Sequence, residues 1–357
     1  MNKAYRLQAR LNRNSNQPEI SRREANMFSR THQHSTSRQA LKLSVLAAAI
    51  LTSSAVYAQS TVDLKSVNQV QAGALNKQRL DAGNTSGAGN SNVTSTSINQ
   101  IQAGALQSQT LKIGNAEGGA ASSSVRTGPI NQIQAGALNS QTAEIGNAKN
   151  GGRSSVTTGT VNQIQAGALN RQVGKVGNAE SGGTSNVNLG ALNQIQAGAL
   201  NNQAANIGNA SNGGKSNVNV GAATQVQAGA LNNQTMDIGN AKGGSTNVSV
   251  GAASQVQAGV LNNQQMEIGN SRGGKSNVRV GAATQVQAGA FNNQRLKIGN
   301  ARGASTNVNV GSVTQVQGGA FNNGEVEIGN GGGSVSVGAV IQLQPGVFGN
   351  DKIRIGN

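Results

Sequence analysis

The sequence lacks most of the residues on which folded and catalytic proteins depend. Its 357 residues contain no Cys and no Trp, and only 2 His, 2 Tyr, 4 Phe and 3 Pro. The absence of Cys excludes a disulfide framework and a thiolate metal site. Aromatic residues at 2% cannot supply the large side chains of an ordinary core. The 50 Gly show no Gly-X-Y period, which leaves two classes, a disordered low-complexity chain or a repeat fold.

Residues 1–58 differ from the rest and predict a cleaved signal peptide with a long basic n-region. An apolar run at 43–52 follows Arg38 and Lys42, and small residues precede a cleavage point near Ala58. The run is too short for a membrane anchor, which disfavours that alternative. Translation starts either at Met1, with an extended leader, or at Met27, with a leader of ordinary size. We therefore expect residues 59–357 to be secreted.

Loss of this leader would remove the remaining candidates for catalytic chemistry. Both His and both Tyr lie within residues 1–58. Nine of the 28 basic and two of the 12 acidic residues also lie there, which leaves 19 and 10 and a formal net charge of +9. Without His or Cys, residues 59–357 cannot form a nucleophilic triad or a His/Cys metal site. We expect neither an enzyme nor a bound cofactor.

Residues 59–357 are ten tandem copies of one motif, Gln-Φ-Gln-x-Gly, in which Φ is Val, Ile or Leu. In every copy the Asn of a closing Gly-Asn pair lies 15 positions after the first Gln. All variation in length lies between that pair and the next copy, in segments rich in Gly, Asn and Ser, as expected for surface turns. The copies begin at Gln69, Gln100, Gln132, Gln163, Gln194, Gln225, Gln255, Gln285, Gln315 and Gln342.

This pattern predicts an all-β fold, a cross-β-like β-solenoid of about ten 30–31-residue coils. Coils stacked at about 4.8 Å would form a rod of roughly 48 Å. In the sixth copy we expect strands at 216–221, 224–228 and 233–238, with an arc at 229–232. Even-numbered positions from Val218 to Ile238, including Val226 and Ala228, are mostly apolar and predict the inward face, although a corner can reset this parity. The fixed block favours order over disorder.

Equivalent residues of stacked coils should form ladders along the rod, with amides bonded as in cross-β assemblies. The expected structural ladder comprises Gln71, Gly73, Asn76, Gln102, Gln134, Gln165, Gln196, Gln227, Gly229, Asn232, Gln257, Gln287 and Gln317. A Leu column in the arc changes to Phe in the last three copies, at Phe291, Phe321 and Phe348. Packing within the ladder explains this column most simply, and a docking column for another subunit is the alternative. Four carboxylates that share one position, Glu144, Asp237, Glu267 and Glu327, predict a solvated stripe.

The basic excess lies at loop and outward positions, namely Lys149, Arg153, Lys215, Lys242, Arg272, Lys275 and Arg302. Solubility and protection against premature stacking explain it most simply. Attraction to anionic polysaccharide or extracellular DNA is the alternative. Specific nucleic-acid recognition is not expected, because no aromatic stacking platform accompanies the charge.

The copies resemble the repeats of known functional amyloids. The string from Gln227 to Asn232 is similar to the Gln-x-Gly-x-x-Asn core of curlin repeats, and Ala228 to Gln234 resembles repeats of Fap-type subunits. This resemblance implies export through an outer-membrane pore, assisted nucleation and growth into biofilm fibres. The copies here are longer than curlin repeats, and Gln107 and Gly349 replace the Asn in two of them.

These observations predict a secreted subunit of extracellular amyloid-like fibres that support biofilm or surface adhesion. Its main partner would be another copy of itself, added head to tail. The alternative is a monomeric β-solenoid that acts as an adhesin or ice-binding rod. The sequence does not distinguish a main subunit from a nucleator.

Overall fold

A computed structural model describes residues 60–356 except 74, 87, 88, 119–121, 151, 182, 213, 303 and 304. The predicted signal peptide lies outside this range. The described residues form strands and turns without helices, and therefore contain no helix long and apolar enough to cross a bilayer. The described residues belong to one compact unit.

The first of two large parallel sheets, the long-strand sheet, contributes one rung from each coil. Its third rung is divided, because Gly128 and Pro129 interrupt the strand and Pro cannot donate to the ladder. The strands are Ser60–Ala72, Asn90–Ala103, Ser122–Thr127 with Ile130–Ala135, Arg153–Ala166, Thr184–Ala197, Lys215–Ala228, Thr246–Ala258, Ser276–Ala288, Thr306–Gly318 and Gly333–Leu343.

The second large sheet, the short-strand sheet, consists of ten eight-residue strands that begin just after the arc and end at the Gly-Asn corner. They are Leu75–Ala82, Leu106–Ile113, Leu138–Ile145, Leu169–Val176, Leu200–Ile207, Leu231–Ile238, Leu261–Ile268, Phe291–Ile298, Phe321–Ile328 and Phe348–Ile355.

A third, narrow edge closes the coils after the Gly-Asn corner. It contains the two-residue strands Thr85–Ser86, Ala116–Glu117, Ala148–Lys149, Ala241–Lys242, Ser271–Arg272 and Ala301–Arg302. Single bridges through Ala179 and Ala210 connect its two parts.

Every coil pairs with the next in parallel and in register, so equivalent residues of successive copies stack on each other. Val187 pairs with Val218, for example, and Gln194 pairs with Gln225. With about 4.8 Å between strands, ten rungs span roughly 45 Å. The fold is therefore the predicted all-β solenoid of about ten coils.

The predicted strand boundaries and part of the predicted parity are wrong. In the sixth coil a single strand, Lys215–Ala228, replaces the two expected ones, and the next begins at Leu231 rather than Asn233. Pairing between the strands is interrupted at Gly221, and the side-chain alternation shifts by one residue there. Val226 is consequently half-buried on the outward face and Ala228 is exposed, while Gln225 and Gln227 point inward.

The core between the two large sheets has an apolar half and an amide half. The apolar half, towards the Gly-Asn corner, stacks branched and unbranched side chains such as Val218, Val220, Met236 and Ile238, which are at most 2% exposed. The amide half, towards the arc, contains buried Gln and Asn. Aromatic residues are not needed, because small and aliphatic side chains at equivalent positions stack directly on one another at the spacing of the rungs.

Candidate assembly surfaces

Three columns of buried Gln fill the amide half of the core. The first and second columns come from the two Gln of the motif, and the third comes from the short-strand sheet. The third column comprises Gln78, Gln109, Gln141, Gln172, Gln203, Gln234, Gln264 and Gln294, followed by Gly324 and Asp351.

Each Gln of the first column from Gln100 onwards donates along the ladder, and those from Gln194 to Gln315 also donate across the core. Nε2 of Gln225 donates to Oε1 of Gln194 at 2.7 Å and to the carbonyl oxygen of Thr235 at 3.1 Å. Its own Oε1 accepts from Nε2 of Gln255 at 2.8 Å. Buried amides are tolerated only when paired in this way. The ladder is directional, because each coil donates towards its N-terminal neighbour.

The Asn of the motif connects the arc of one coil to the next. Nδ2 of Asn232 donates to the carbonyl oxygen of Gly229 at 3.0 Å, to that of Ala258 at 2.9 Å and to Oδ1 of Asn262 at 3.0 Å. Gly229 is required at this position, because a Cβ there would overlap the carbonyl oxygen of Gly198 in the adjacent arc. Arcs of other residues could not stack this closely.

The structure places the predicted ladder residues together and adds columns that the repeat pattern alone did not predict. Gln71, Gln102, Gln134, Gln165, Gln196, Gln227, Gln257, Gln287 and Gln317 bond in one continuous column. Gly73 lies in the arc, where Asn76 donates to its carbonyl oxygen. The first Gln column was missed as a ladder although all ten copies contain it. The Asn of the Gly-Asn pair forms a further ladder, in which the backbone N–H of Asn240 donates to Oδ1 of Asn209 at 2.9 Å.

The Leu and Phe of the arc form a column on the outside of the solenoid. The rings of Phe291 and Phe321 stack with centroids 4.9 Å apart, and those of Phe321 and Phe348 stack at 5.1 Å. This column borders a furrow of about 760 Å³ whose other side is an Asn column, from Asn202 to Asn350. The candidate docking column therefore belongs to a longer exposed surface.

The four carboxylates expected to form a solvated stripe do share a column, but two of them, Glu144 and Glu327, have a cation on each side. Nζ of Lys112 and of Lys175 lie 3.2 and 3.4 Å from the carboxylate of Glu144. Glu327 is similarly placed between Lys297 and Arg354. The whole column, on the short-strand sheet, is Asp81, Lys112, Glu144, Lys175, Asn206, Asp237, Glu267, Lys297, Glu327 and Arg354.

Two carboxylates meet without a cation between them at one point of this charged column. Asp237 pairs in register with Glu267, and neutral Asn206 lies on its other side. Burial, together with the charge of Glu267, raises the pKa of Asp237 to about 7. At Glu144, by contrast, burial opposes ionisation but Lys112 and Lys175 outweigh it and lower the pKa. The stripe is therefore not simply solvated.

The basic residues lie on the opposite side of the coil from the arc, on the narrow edge and at the start of the long strands. Lys149, Arg153, Lys215, Lys242, Arg272, Lys275 and Arg302 are all exposed. Within the described part of the chain, no cluster of three or more His, Asp or Glu has the arrangement of a metal site.

The C-terminal coil leaves strand edges and side chains uncovered within the described part of the chain. Among the described residues, no strand pairs with the outer edge of Gly333–Leu343 or Phe348–Ile355. Val335, Val337 and Val340 continue buried columns of the core yet are only partly buried. Comparisons with protein-family models, curated proteins and solved structures found no match for this chain.

Proposed function

We propose that this protein is a secreted structural subunit that adds end to end into extracellular cross-β fibres, which support biofilm or surface adhesion. The observation that carries the proposal is the in-register stacking of near-identical coils, in which the contact surface of each coil matches its neighbour. A further copy could continue the stack with the same contacts. The resemblance to curlin repeats supports the same conclusion.

The direction of the amide ladders favours head-to-tail joining. Among the described residues, Gln69 at one end of the first column accepts without donating, since Nε2 of Gln100 donates to its Oε1 at 2.8 Å. Gln342 at the other end donates to Oε1 of Gln315 and accepts from none of the described residues. A second copy stacked on the C-terminal coil would bring the Nε2 of its Gln69 to the Oε1 of Gln342. Joining of two like ends would oppose donor to donor or acceptor to acceptor.

Continuation of the register across such a joint pairs similar side chains. Val62 of the next copy would stack on Val335, Gln69 on Gln342, and Gln71 on Gln344. Contact of this kind joins different surfaces of identical molecules and does not close on itself, so it generates a filament. Uncovered strand edges are also the usual template for such addition.

The proposal includes partners besides the protein itself. An export pore and a nucleator would deliver and start the fibre, and the exposed basic edge would attract anionic polysaccharide or extracellular DNA. The competing function is a monomeric solenoid that acts as an adhesin or ice-binding rod. Self-association of the purified protein would distinguish the fibre subunit from the monomeric solenoid.

The test is incubation of purified residues 59–357, which contain every described strand, followed by fibre diffraction and sedimentation. We expect fibres with a reflection at about 4.7–4.8 Å along their axis. Val337→Lys should block growth, because it places a charge where the next coil would bury it, whereas outward Ser336→Lys should not. Persistence of a monomer under all conditions would favour the alternative.

A further inference from the structure

We propose that the arc edge of the solenoid is a lateral interface, through which two copies of this chain pack side by side. The arc edge consists of four outward columns that follow one another along the chain. They are represented in the sixth coil by Val226, Ala228, Ala230 and Leu231. This contact differs from end-to-end joining and does not depend on it.

The arc edge is free of charge along its entire length. In each of the ten copies, the eight residues from the first Gln of the motif to the position after Leu or Phe contain no Asp, Glu, Lys or Arg. All 29 charged residues of 59–357, which are the 19 basic and 10 acidic ones, lie elsewhere. A protein with a net charge of +9 repels its copies over most of its surface. The arc edge is the long strip on which that repulsion is weakest.

Large apolar side chains are exposed along this strip, where solubility would favour polar ones. Leu169, Leu200 and Leu231 are 41–42% exposed, and Phe348 is 59% exposed. Ile101, Ile133, Ile164 and Ile195 form the first outward column on the other side of the arc at 37–41% exposure. A contiguous apolar patch of this kind usually marks an interaction surface.

The dimensions of the arc edge suit an interface between proteins. It is about 45 Å long at one strand spacing per rung, and about 20 Å wide over six residues of chain. A standard interface buries roughly 800 Å² on each partner. The strip is large enough to supply that area even if its curvature keeps part of it out of contact.

A second copy of this chain is the partner that fits the arc edge. Its Leu and Phe side chains recur at the same rung spacing, so the ridge of one solenoid can enter the furrow of about 760 Å³ on the other along many rungs. Interdigitation of identical columns is how cross-β sheets pair through dry interfaces.

The rim of the furrow also favours a protein partner over a lipid surface. Its outer wall is an Asn column in which Nδ2 of Asn263 donates to Oδ1 of Asn233 at 3.0 Å, and Nδ2 of Asn293 donates to Oδ1 of Asn263 at 3.1 Å. These amides are bonded to each other and need few other partners. A membrane-binding face would be bordered by a row of Lys, Arg, Trp or Tyr. Beside the furrow the column is Asn in every coil, and its two basic members, Lys77 and Arg171, lie outside the furrow in the first and fourth coils.

The test uses residues 59–357 with Val337→Lys, so that any association is sideways rather than end to end. Sedimentation velocity should show a concentration-dependent dimer that strengthens with added salt, because salt screens the net charge without weakening apolar contact. Replacement of Leu200, Leu231 and Leu261 by Asn should weaken the dimer about tenfold or more. The neighbouring outward Asn column shows that stacked Asn is compatible with the fold.

The matched control replaces three outward polar residues of the long-strand sheet, Asn188→Ser, Asn219→Ser and Ser249→Ala, and should leave the dimer unchanged. Circular dichroism confirms the fold of each variant. A monomer at all concentrations, or equal dimerisation of the Leu-to-Asn variant, would overturn the proposal. Binding of the monomer to phosphatidylcholine vesicles through the same Leu residues, without dimerisation, would overturn it in favour of a lipid surface.

Discussion

At the scale of single residues, the corner glycines carry the sharpest constraint. Gly239 adopts a φ of 64°, a conformation that other residues enter only at a cost. A Cβ there would also overlap Cγ2 of Val248, a buried side chain of the next coil. The Gly-Asn pair that closes each copy therefore reflects backbone geometry and packing together.

Gly239→Ala should lower the free energy of unfolding by about 2–4 kcal/mol, as strain and overpacking add. Urea denaturation followed by circular dichroism measures the change. Gly318→Ala is the matched control. Its Cβ would contact nothing within 4 Å, and eight other rungs have Ala at this position, so we expect stability to be unchanged or slightly higher. Equal losses in both variants would contradict this account.

The buried amides offer a second test at this scale. Gln225→Leu should lower the free energy of unfolding by about 1–3 kcal/mol, because Oε1 of Gln194 loses its donor in a buried position. Asn247→Ser, which removes an exposed amide contact to Asn217, should cost less than about 0.5 kcal/mol. Urea denaturation of both variants compares them. A neutral Gln225→Leu would mean that the ladder does not stabilise the core.

At the scale of the coil, the sequence predicted the repeat unit better than its interior. Copy number, rung pairing and the Leu-to-Phe column follow directly from the constant spacing of the motif, because in-register stacking preserves offsets. Side-chain parity did not follow, because Gly221 interrupts strand pairing within one continuous strand. The hydrophobic pattern also predicted the wrong inward face here, since Gln225 and Gln227 are buried while Val226 faces outward. Bonded amide ladders override the usual preference for apolar interiors.

The charged column makes stability depend on pH in a direction that one substitution can test. The pKa of Asp237 rises from 3.8 to about 7 on folding, so between these values the folded state holds a proton that the unfolded state releases. Its contribution to stability must therefore fall as pH rises from about 4 to 7. Asp237→Asn should remove most of this fall and stabilise the protein at pH 8, by an amount on the order of 2 kcal/mol.

Glu144→Gln is the control, because we expect it to lower stability at neutral pH, whereas Asp237→Asn should raise it. Burial opposes ionisation of Glu144, but Lys112 and Lys175 outweigh it and lower its pKa. Its ionised form therefore supports the fold at neutral pH, and that support is lost as pH falls through the lowered pKa. Urea midpoints measured from pH 4 to 8 should show Glu144→Gln less stable than the parent at pH 7. Identical pH profiles for the parent and Asp237→Asn would contradict the assignment.

At the scale of the whole molecule, the C-terminal coil departs from the columns that it continues. Asp351 occupies the inward position held by Gln in eight coils, beyond Gly324, and burial raises its pKa. A charged inward residue is a known means of protecting a strand edge from unwanted pairing. If fibres grow end to end as proposed, the next copy would bury this carboxylate further.

Asp351→Gln should therefore speed fibre growth at pH 8, where the parent carboxylate is charged, and should have a smaller effect as the pH falls through the raised pKa of Asp351. Seeded elongation followed by light scattering measures the rates. Lys352→Gln, which changes an outward charge on the same strand, should leave the pH dependence of growth in place. A pH-independent parent rate would show that Asp351 does not limit joining.

The register between rungs also has a consequence for heredity. Equivalent positions pair from coil to coil. An in-frame duplication or deletion of one 30- or 31-residue unit therefore preserves the kind of contact that each coil makes with its neighbours. Recombination between the repeated stretches of the gene would then lengthen or shorten the solenoid in steps of about 4.8 Å without creating a new fold. Molecular length can thus vary among descendants while the cross-section stays the same.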